Sequence, residues 1–194
     1  PSIPDLNKEV SNKEVISIAE NYNFDVSNFD FAASGSALCY EDYNVSEKIN
    51  HIDGMTVEEA EHMMATKLYQ NNAKVHFNHF VEKGGRFGKR IVYGGHVISL
   101  TRALTFNGLS NAFKIIAING GTHASPCFAG TTVFAWSTIL DKIEVSDKLG
   151  ALRIRSNGIG DAQAYQFQHR DANNRFDPSV LLSLDYWALI PRKN

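Results

Sequence analysis

The sequence has few cysteines, no long apolar run and almost no net charge. Its only two cysteines, Cys39 and Cys127, lie far apart and outside any C-x-x-C pattern, which excludes a disulfide scaffold and a zinc knuckle. No apolar run approaches the roughly 18 residues of a membrane-spanning helix, and no basic-then-apolar start indicates a secretion signal. The 19 basic and 21 acidic residues give a net charge of −2, which would not attract nucleic acid or an anionic membrane. We therefore expect a cytoplasmic protein with no nucleic-acid or membrane partner.

The chain is long enough to fold, and its first part differs from the rest. Its 194 residues, 43% of them hydrophobic, are typical of one globular domain. It opens with Pro1 instead of Met, which suggests a processed end or a piece of a longer protein. Residues 1–38 are rich in Asn, Ser, Lys and Glu, with one predicted helix at 12–22. We expect residues 1–38 to be a linker or surface strap and residues 39–194 to be the domain.

The remaining hydrophobic pattern predicts two strong helices and a series of strands. Thr56, with Glu59 three residues later, predicts a capped helix that ends near Gln70. An irregular polar stretch follows at 71–88, and residues 91–109 are apolar on most sides, which indicates a buried helix. Predicted strands lie at 49–54, 113–119, 131–144, 149–156 and 180–190, with a long loop over 158–176. This order predicts an α+β fold in which an antiparallel sheet wraps around a central helix.

Two short patterns invite a ligand but do not fit one well. Gly84 and Gly88 are separated by three residues instead of the four of a P-loop, so we interpret this stretch as a charged surface turn. Alternatively, its cations could meet the phosphates of a bulky ligand. His76 and His79 are three residues apart, but there is no nearby cysteine and no evident third ligand, so we expect no metal site.

The glycines at the start of the buried helix carry a more specific signal. Gly94 and Gly95 would leave backbone N–H groups exposed next to the positive end of the helix dipole. Such donors suit an oxyanion that develops during a reaction. The alternative is that the glycines only allow close packing of the helix against a strand. Their sequence alone leaves both interpretations open.

Three stretches together resemble the MaoC-like, R-specific enoyl-CoA hydratases. Residues 56–76 are similar to the T-x-E-E … D-x-N-P-x-H segment of that family, and residues 86–99 to R-F-G-x-x-I-x-H-G-x-x-x-x-S. Residues 126–133 are similar to P-V-x-P-G-D-T-L, which begins a long strand. A closer resemblance, at 51–62, 75–78, 93–100 and 185–189, is to the C-terminal half of the mesaconyl-CoA hydratase (β-methylmalyl-CoA dehydratase) subfamily. The resemblance covers the chain from about residue 40 to its end.

The resemblance implies a fold, an activity and a partner. It implies a hot-dog fold for residues 39–194 and a hydro-lyase that adds water reversibly to an enoyl-CoA, mesaconyl-CoA giving β-methylmalyl-CoA. CoA would be part of the substrate, with no cofactor and no metal. The subfamily carries two hot-dog units, so we expect a second unit, either the other half of the same precursor or another copy. The alternative is a non-catalytic hot-dog subunit that binds acyl-CoA or supports a catalytic partner.

The resemblance also assigns roles to residues. His76 would be the main acid and base, but Asn71 stands where the family has an Asp, and an amide cannot accept a proton. This departure leaves open an inactive half, or help from another group. The Gly94 and Gly95 N–H groups would bind the thioester oxygen. We expect the remaining contacts to substrate to come from Glu82, Arg86, Lys89, Arg90, Tyr93 and His96.

Overall fold

The protein is described from a computed structural model, which covers residues 9–162 and 170–193. In chain order the helices are α1 (Asn12–Tyr22), α2 (Phe31–Ser34), α3 (Glu59–Leu68), α4 (Lys74–Phe77), α5 (His79–Glu82), α6 (Gly94–Leu104) and α7 (Phe106–Leu109), with a 3₁₀ turn at Tyr40–Asp42. The strands are β1 (Lys48–Thr56), β2 (Lys114–His123), β3 (Thr132–Glu144), β4 (Leu149–Gly160) and β5 (Val180–Pro191).

The strands form one antiparallel sheet in the order β1-β3-β4-β5-β2 within the described residues. One face of this sheet packs on α6, which contacts β1, β3, β4 and β5. Val97, Leu100 and Leu104 of α6 are buried there against side chains such as Ile139 and Ile154. The prediction of an antiparallel sheet around a central helix is therefore confirmed.

A glycine lets the central helix approach the sheet closely. Gly158 of β4 faces Thr101 of α6, and a Cβ atom at residue 158 would lie 2.4 Å from the Thr101 Oγ1 atom. Real Cβ atoms do not come so near another heavy atom, so a side chain there would force Thr101 to change its rotamer or the helix to shift. The absence of a side chain at residue 158 thus leaves room for Thr101 between α6 and the sheet.

A chain of buried polar side chains crosses four strands beneath the helix. The His51 Nδ1 atom donates to the Asn107 carbonyl oxygen (2.6 Å), which leaves Nε2 to accept from the Ser137 hydroxyl (2.9 Å). Ser137 contacts Ser156 (2.8 Å), and Ser156 contacts the Tyr186 hydroxyl (3.0 Å). Because each member has a hydrogen-bond partner, the chain avoids the cost of unsatisfied buried polar groups.

The buried His51 should make the stability of the protein depend on pH. Burial lowers the pKa of His51 from 6.5 to about 4, so the unfolded chain binds a proton more readily than the folded protein. Stability is therefore lost as the pH falls from about 6.5 to about 4. At about 1.4 kcal/mol per pKa unit, the loss approaches about 3 kcal/mol. Urea unfolding at pH 7 and pH 4.5 measures it.

The matched variants are His51→Gln and His79→Gln, since His79 is exposed on α5. The His79→Gln protein should keep the full pH dependence. The His51→Gln protein should lose the pH dependence that His51 causes. It should keep the pH dependence due to His62 and His96, whose pKa values burial also lowers. Equal pH dependence in the two variants would contradict the assignment.

The helix near the N-terminus packs on the other face of the sheet. Ser11 caps α1 in a capping box with Glu14, which is a sequence pattern typical of a helix start. Val15 and Ala19 are buried there in a cluster with Trp187. The predicted helix at 12–22 is confirmed, whereas the assignment of 1–38 as a linker or strap stays a prediction. Residues 1–8 lie outside the described part of the chain.

Several predicted boundaries are wrong. Thr56 does not cap a helix: it ends β1, and α3 begins after Glu58, whose N–H donates to the Glu61 carboxylate (3.3 Å). The stretch at 71–88 contains the one-turn helices α4 and α5. The helix expected at 91–109 starts at Gly94 and is broken near Gly108, where φ is 107°. β2 continues to residue 123 and β4 to residue 160, and residues 163–169 of the predicted loop are not described.

Candidate active site

A cavity of about 510 Å³ lies at the N-terminal end of α6. Its walls come from the loop and short helix before α5, from the segment that leads into α6, and from the end of β2 with the turn that follows. The three stretches that carry the family resemblance therefore meet here. The lining residues are Asn71, His76, Ile91, Val92, Tyr93, Gly94, Gly95, Val97, His123, Ala124, Ser125, Pro126 and Cys127.

His76 has a fixed orientation in this cavity. Its Nδ1 atom donates to the carbonyl oxygen of Ile91 (2.9 Å), so the neutral ring carries its proton on Nδ1. The ring also packs edge-on against Tyr93, with 5.9 Å between the ring centres. The Nε2 atom is thus left with a lone pair that can accept a proton. This arrangement suits a general base.

Asn71 lies in the same cavity but is tied to its own loop. Its Oδ1 atom accepts a hydrogen bond from the Ala73 N–H (2.9 Å), which is the arrangement of an Asx turn. This turn leads into α4 and so helps to place His76. The amide can orient a water or a ligand, but it cannot take up a proton.

The start of α6 presents its backbone to the cavity. Tyr93 occupies the N-cap position without a side-chain cap hydrogen bond, and Gly94 and Gly95 line the cavity. The first N–H groups of a helix have no partner within the helix and lie at the positive end of its dipole. A Cβ atom at residue 94 would lie 2.6 Å from the His123 Nε2 atom, and one at residue 95 would lie 2.5 Å from the Tyr93 ring. Both rings thus lie directly against the glycine backbone.

His123 is the site residue that the sequence prediction missed. It is the last residue of β2, and its ring joins His76 in the lining of the cavity. Although part of the ring is open to solvent, burial of the rest, and then the nearby His76, lowers the pKa of His123. Its only sequence signal is a histidine directly after Gly120, Gly121 and Thr122, which is too weak to indicate a site.

The predicted cationic residues do not line the cavity. Arg86 lies over the Phe87 ring, at 5.0 Å, and is exposed. Lys89 lies 4.3 Å from the centre of the Phe128 ring, which is next to the lining residue Cys127.

Arg90 forms an ion pair with Glu59 of α3 and donates to the Phe77 carbonyl oxygen (3.4 Å). Of the three cations, Lys89 and Arg86 remain available to a ligand near the cavity edge.

Two other predicted contacts lie elsewhere. The buried His96 side chain turns away from the cavity toward α3, where its Nε2 atom is 3.6 Å from a Glu61 carboxylate oxygen. Burial lowers the pKa of His96, although Glu61 opposes this shift. Glu82 lies against the backbone of Gly85 and does not line the cavity.

The described residues lack two further features. No group of three or more His, Cys, Asp or Glu side chains there is arranged to hold a metal ion. In that same part of the chain, no helix has both the length and the apolar character needed to cross a membrane.

Comparison with known proteins agrees with the resemblance. No family model matches the chain. The β-methylmalyl-CoA dehydratase of Chloroflexus aurantiacus is 50% identical over 193 residues, which is 98% of this chain and 54% of that protein. The mesaconyl-CoA hydratase of Cereibacter sphaeroides is 49% identical, over 99% of this chain and 54% of that protein. The chain thus spans about half the length of the curated relatives it matches.

A solved structure decides the fold. The crystal structure of a protein described as a MaoC domain protein dehydratase, from Chloroflexus aurantiacus, matches all of this chain and 54% of that one, with a TM-score of 0.85 and 48% identity. The chain is a hot-dog unit, similar to part of that protein. The Mycobacterium tuberculosis protein RV0216, described as having a double hot-dog fold, matches 80% of this unit at a TM-score of 0.61 and 12% identity. The predicted hot-dog fold and family resemblance are therefore confirmed.

Proposed function

We propose that this hot-dog unit catalyses the reversible addition of water to an enoyl-CoA, with mesaconyl-CoA giving β-methylmalyl-CoA. The observation that carries the proposal is that His76, with a free Nε2 atom, and the open start of α6 share one cavity. The names of the two relatives, which are 50% and 49% identical to this chain, support mesaconyl-CoA as the substrate. The proposal requires no cofactor beyond the CoA of the substrate.

The reaction needs an oxyanion site and a proton acceptor. When water attacks the β-carbon of an enoyl thioester, negative charge develops on the thioester oxygen. The Gly94 and Gly95 N–H groups would bind that oxygen, with the positive end of the helix dipole behind them. The His76 Nε2 atom would take the proton of the attacking water. Asn71 would orient that water through its amide.

The phosphates of CoA would lie outside the cavity. Lys89 lies over Phe128 at the cavity edge, and Arg86 is exposed in the same turn, so these two cations are our candidates for phosphate contacts. Arg90 is already paired with Glu59 and is the weaker candidate. The two cysteines are buried and unpaired, which favours a cytoplasmic location for the enzyme.

Substrate turnover tests the function against its alternative. Crotonyl-CoA and mesaconyl-CoA are each mixed with the protein, and loss of the conjugated absorbance is followed. We expect faster turnover of mesaconyl-CoA. Binding of either compound without any loss of absorbance would favour the alternative, a non-catalytic hot-dog subunit that binds acyl-CoA or supports a catalytic partner.

We also propose that a second hot-dog unit pairs along β2. This strand is at one end of the strand order, and its last residue, His123, is in the cavity wall. An open sheet edge favours association with another strand. Ile118 of β2 is 58% exposed, so this edge offers an apolar side chain to a partner strand. The partner would be the other half of the same precursor or another copy, and it would close the cavity from the β2 side.

Replacement of Ile118 by arginine should separate the two units, because a charge would be buried in an interface that we expect to exceed roughly 1,000 Å². Sedimentation of the protein measures the mass. The control is Ile52→Arg, since Ile52 is 85% exposed on β1 at the opposite edge. A fully active wild-type monomer would contradict the proposed pairing.

A further inference from the structure

The proposed hydration needs two proton transfers, but the predicted site holds one fixed imidazole. One proton leaves the attacking water and another reaches the α-carbon. The His76 Nδ1 atom is occupied by the Ile91 carbonyl oxygen, so one ring nitrogen is left for both transfers. Asn71, the other member of the predicted pair, cannot titrate. A second titratable group in the cavity would relieve this shortage.

His123 has the position that such a group requires. Its ring edge lies against Gly94, because a Cβ atom at residue 94 would be 2.6 Å from the Nε2 atom and 2.9 Å from the Cε1 atom. If the Gly94 N–H binds the thioester oxygen, the carbonyl carbon lies beside it. The α-carbon is bonded to that carbonyl carbon, whereas the β-carbon, where water adds, is one bond further away. His123 is therefore placed for the α-carbon and His76 for the water.

We propose that His123 carries the α-carbon proton and His76 the proton of water. This division of labour rests on the proposed function. In dehydration, neutral His123 takes the α-proton, and the electron pair of the broken C–H bond forms an enolate on the thioester oxygen. The enolate then re-forms the carbonyl, the new C=C bond displaces the β-hydroxyl, and protonated His76 gives that group its proton, so water leaves. Solvent removes the proton from His123 and returns one to His76; hydration is the reverse.

The surroundings of His123 favour this role. Burial and the neighbouring His76 both lower the pKa of His123, so it is a free base at neutral pH, ready to accept the α-proton. Two protonated imidazoles in one cavity would repel each other, so protonation of one favours the neutral form of the other. One ring can therefore act as the acid while the other acts as the base. The other titratable side chains in the described lining are Tyr93 and Cys127. Burial raises the pKa of Cys127 to about 11, so its thiol stays neutral.

Exchange of hydrogen for deuterium at the α-carbon tests the proposal. The hydrated product is incubated with each protein in D₂O, and both deuterium at the α-carbon and formation of the enoyl-CoA are followed. In His123→Gln, exchange and dehydration should both fall by about 10² to 10⁴, the usual contribution of a proton-transfer group. In His76→Ala, dehydration should fall similarly while α-exchange persists, because the α-proton can still leave and return.

The control is His79→Gln, which changes an exposed imidazole outside the cavity and should match the wild type. Thermal unfolding of each variant is measured, and His123→Thr, which suits a strand end, replaces His123→Gln if the latter unfolds. Wild-type rates in the His123 variant, or equal loss of exchange in the His76 and His123 variants, would overturn the proposal. If the wild type and His79→Gln convert no acyl-CoA at all, the proposed function itself is wrong, and the proposal falls with it.

Discussion

Replacement of His76 by alanine should lower kcat for enoyl-CoA hydration by about 10² to 10⁴, since the site loses the group that takes the proton of water. Steady-state kinetics with mesaconyl-CoA measures the effect. The ring of His76 is only half-buried, and its hydrogen bond to Ile91 is a single contact, so the fold should survive. KM should change little, because the imidazole acts on the water and not on CoA.

His79→Ala is the matched control for that experiment, since it removes an exposed imidazole three residues away. It should leave kcat unchanged. An unaltered kcat in the His76→Ala protein would exclude His76 as the main acid and base.

A valine at residue 94 should lower kcat by about 10² to 10³, because its side chain displaces the His123 ring and hinders the approach of the thioester oxygen to the Gly94 N–H group. The new Cβ atom would occupy the place where the His123 ring lies, 2.6 Å from its Nε2 atom. The ring can swing toward solvent, so the cost falls on the site and not on the core. Thermal unfolding and kcat are measured on the same preparation, with the unfolding midpoint expected to change little.

Gly84→Val is the control, because a Cβ atom at residue 84 would meet only an ordinary contact, 3.7 Å from the Val81 carbonyl oxygen. Both kcat and the unfolding midpoint should be preserved there. A proportional fall of kcat and stability in Gly94→Val would favour the other interpretation, in which Gly94 only permits close packing.

The pattern of hydrophobic residues predicted the helices and strands well, because the side chains that each element buries recur at the period of that element. The strands from residue 131 onward and the helix at 12–22 appear where the pattern places them, apart from the longer end of β4. The errors arise where distant contacts override local preference. Thr56 is a good helix cap by type, yet it pairs with Thr132 in the sheet and contacts its hydroxyl (2.9 Å). The sequence alone gives no sign of that partner.

The site was predicted in part, for a related reason. His76, Asn71, Gly94, Gly95 and Tyr93 stand in local patterns, and the structure brings them to one cavity. The missed histidine comes from the far end of an edge strand, and only the order of the strands brings it there.

The predicted cations lie outside the cavity, and their role in binding stays a prediction. A run of charged residues indicates that their side chains are exposed, but not toward which part of the molecule they point. Arg90 is paired with a carboxylate of α3 instead of facing the cavity.

Gly158 lies in the sheet outside the cavity, yet it affects the position of the helix that carries the cavity's backbone amides. His76 is anchored to the chain before α6, whereas the amides of Gly94 and Gly95 move with the helix itself. A side chain at residue 158 would displace the Thr101 side chain, and any resulting shift of the helix would move the two amides relative to the His76 imidazole. A displacement of about 1 Å between reacting groups can cost on the order of 10² in rate. During evolution the walls of the cavity could therefore change to accept another acyl chain, while residue 158, which does not line the cavity, stays constrained by the helix.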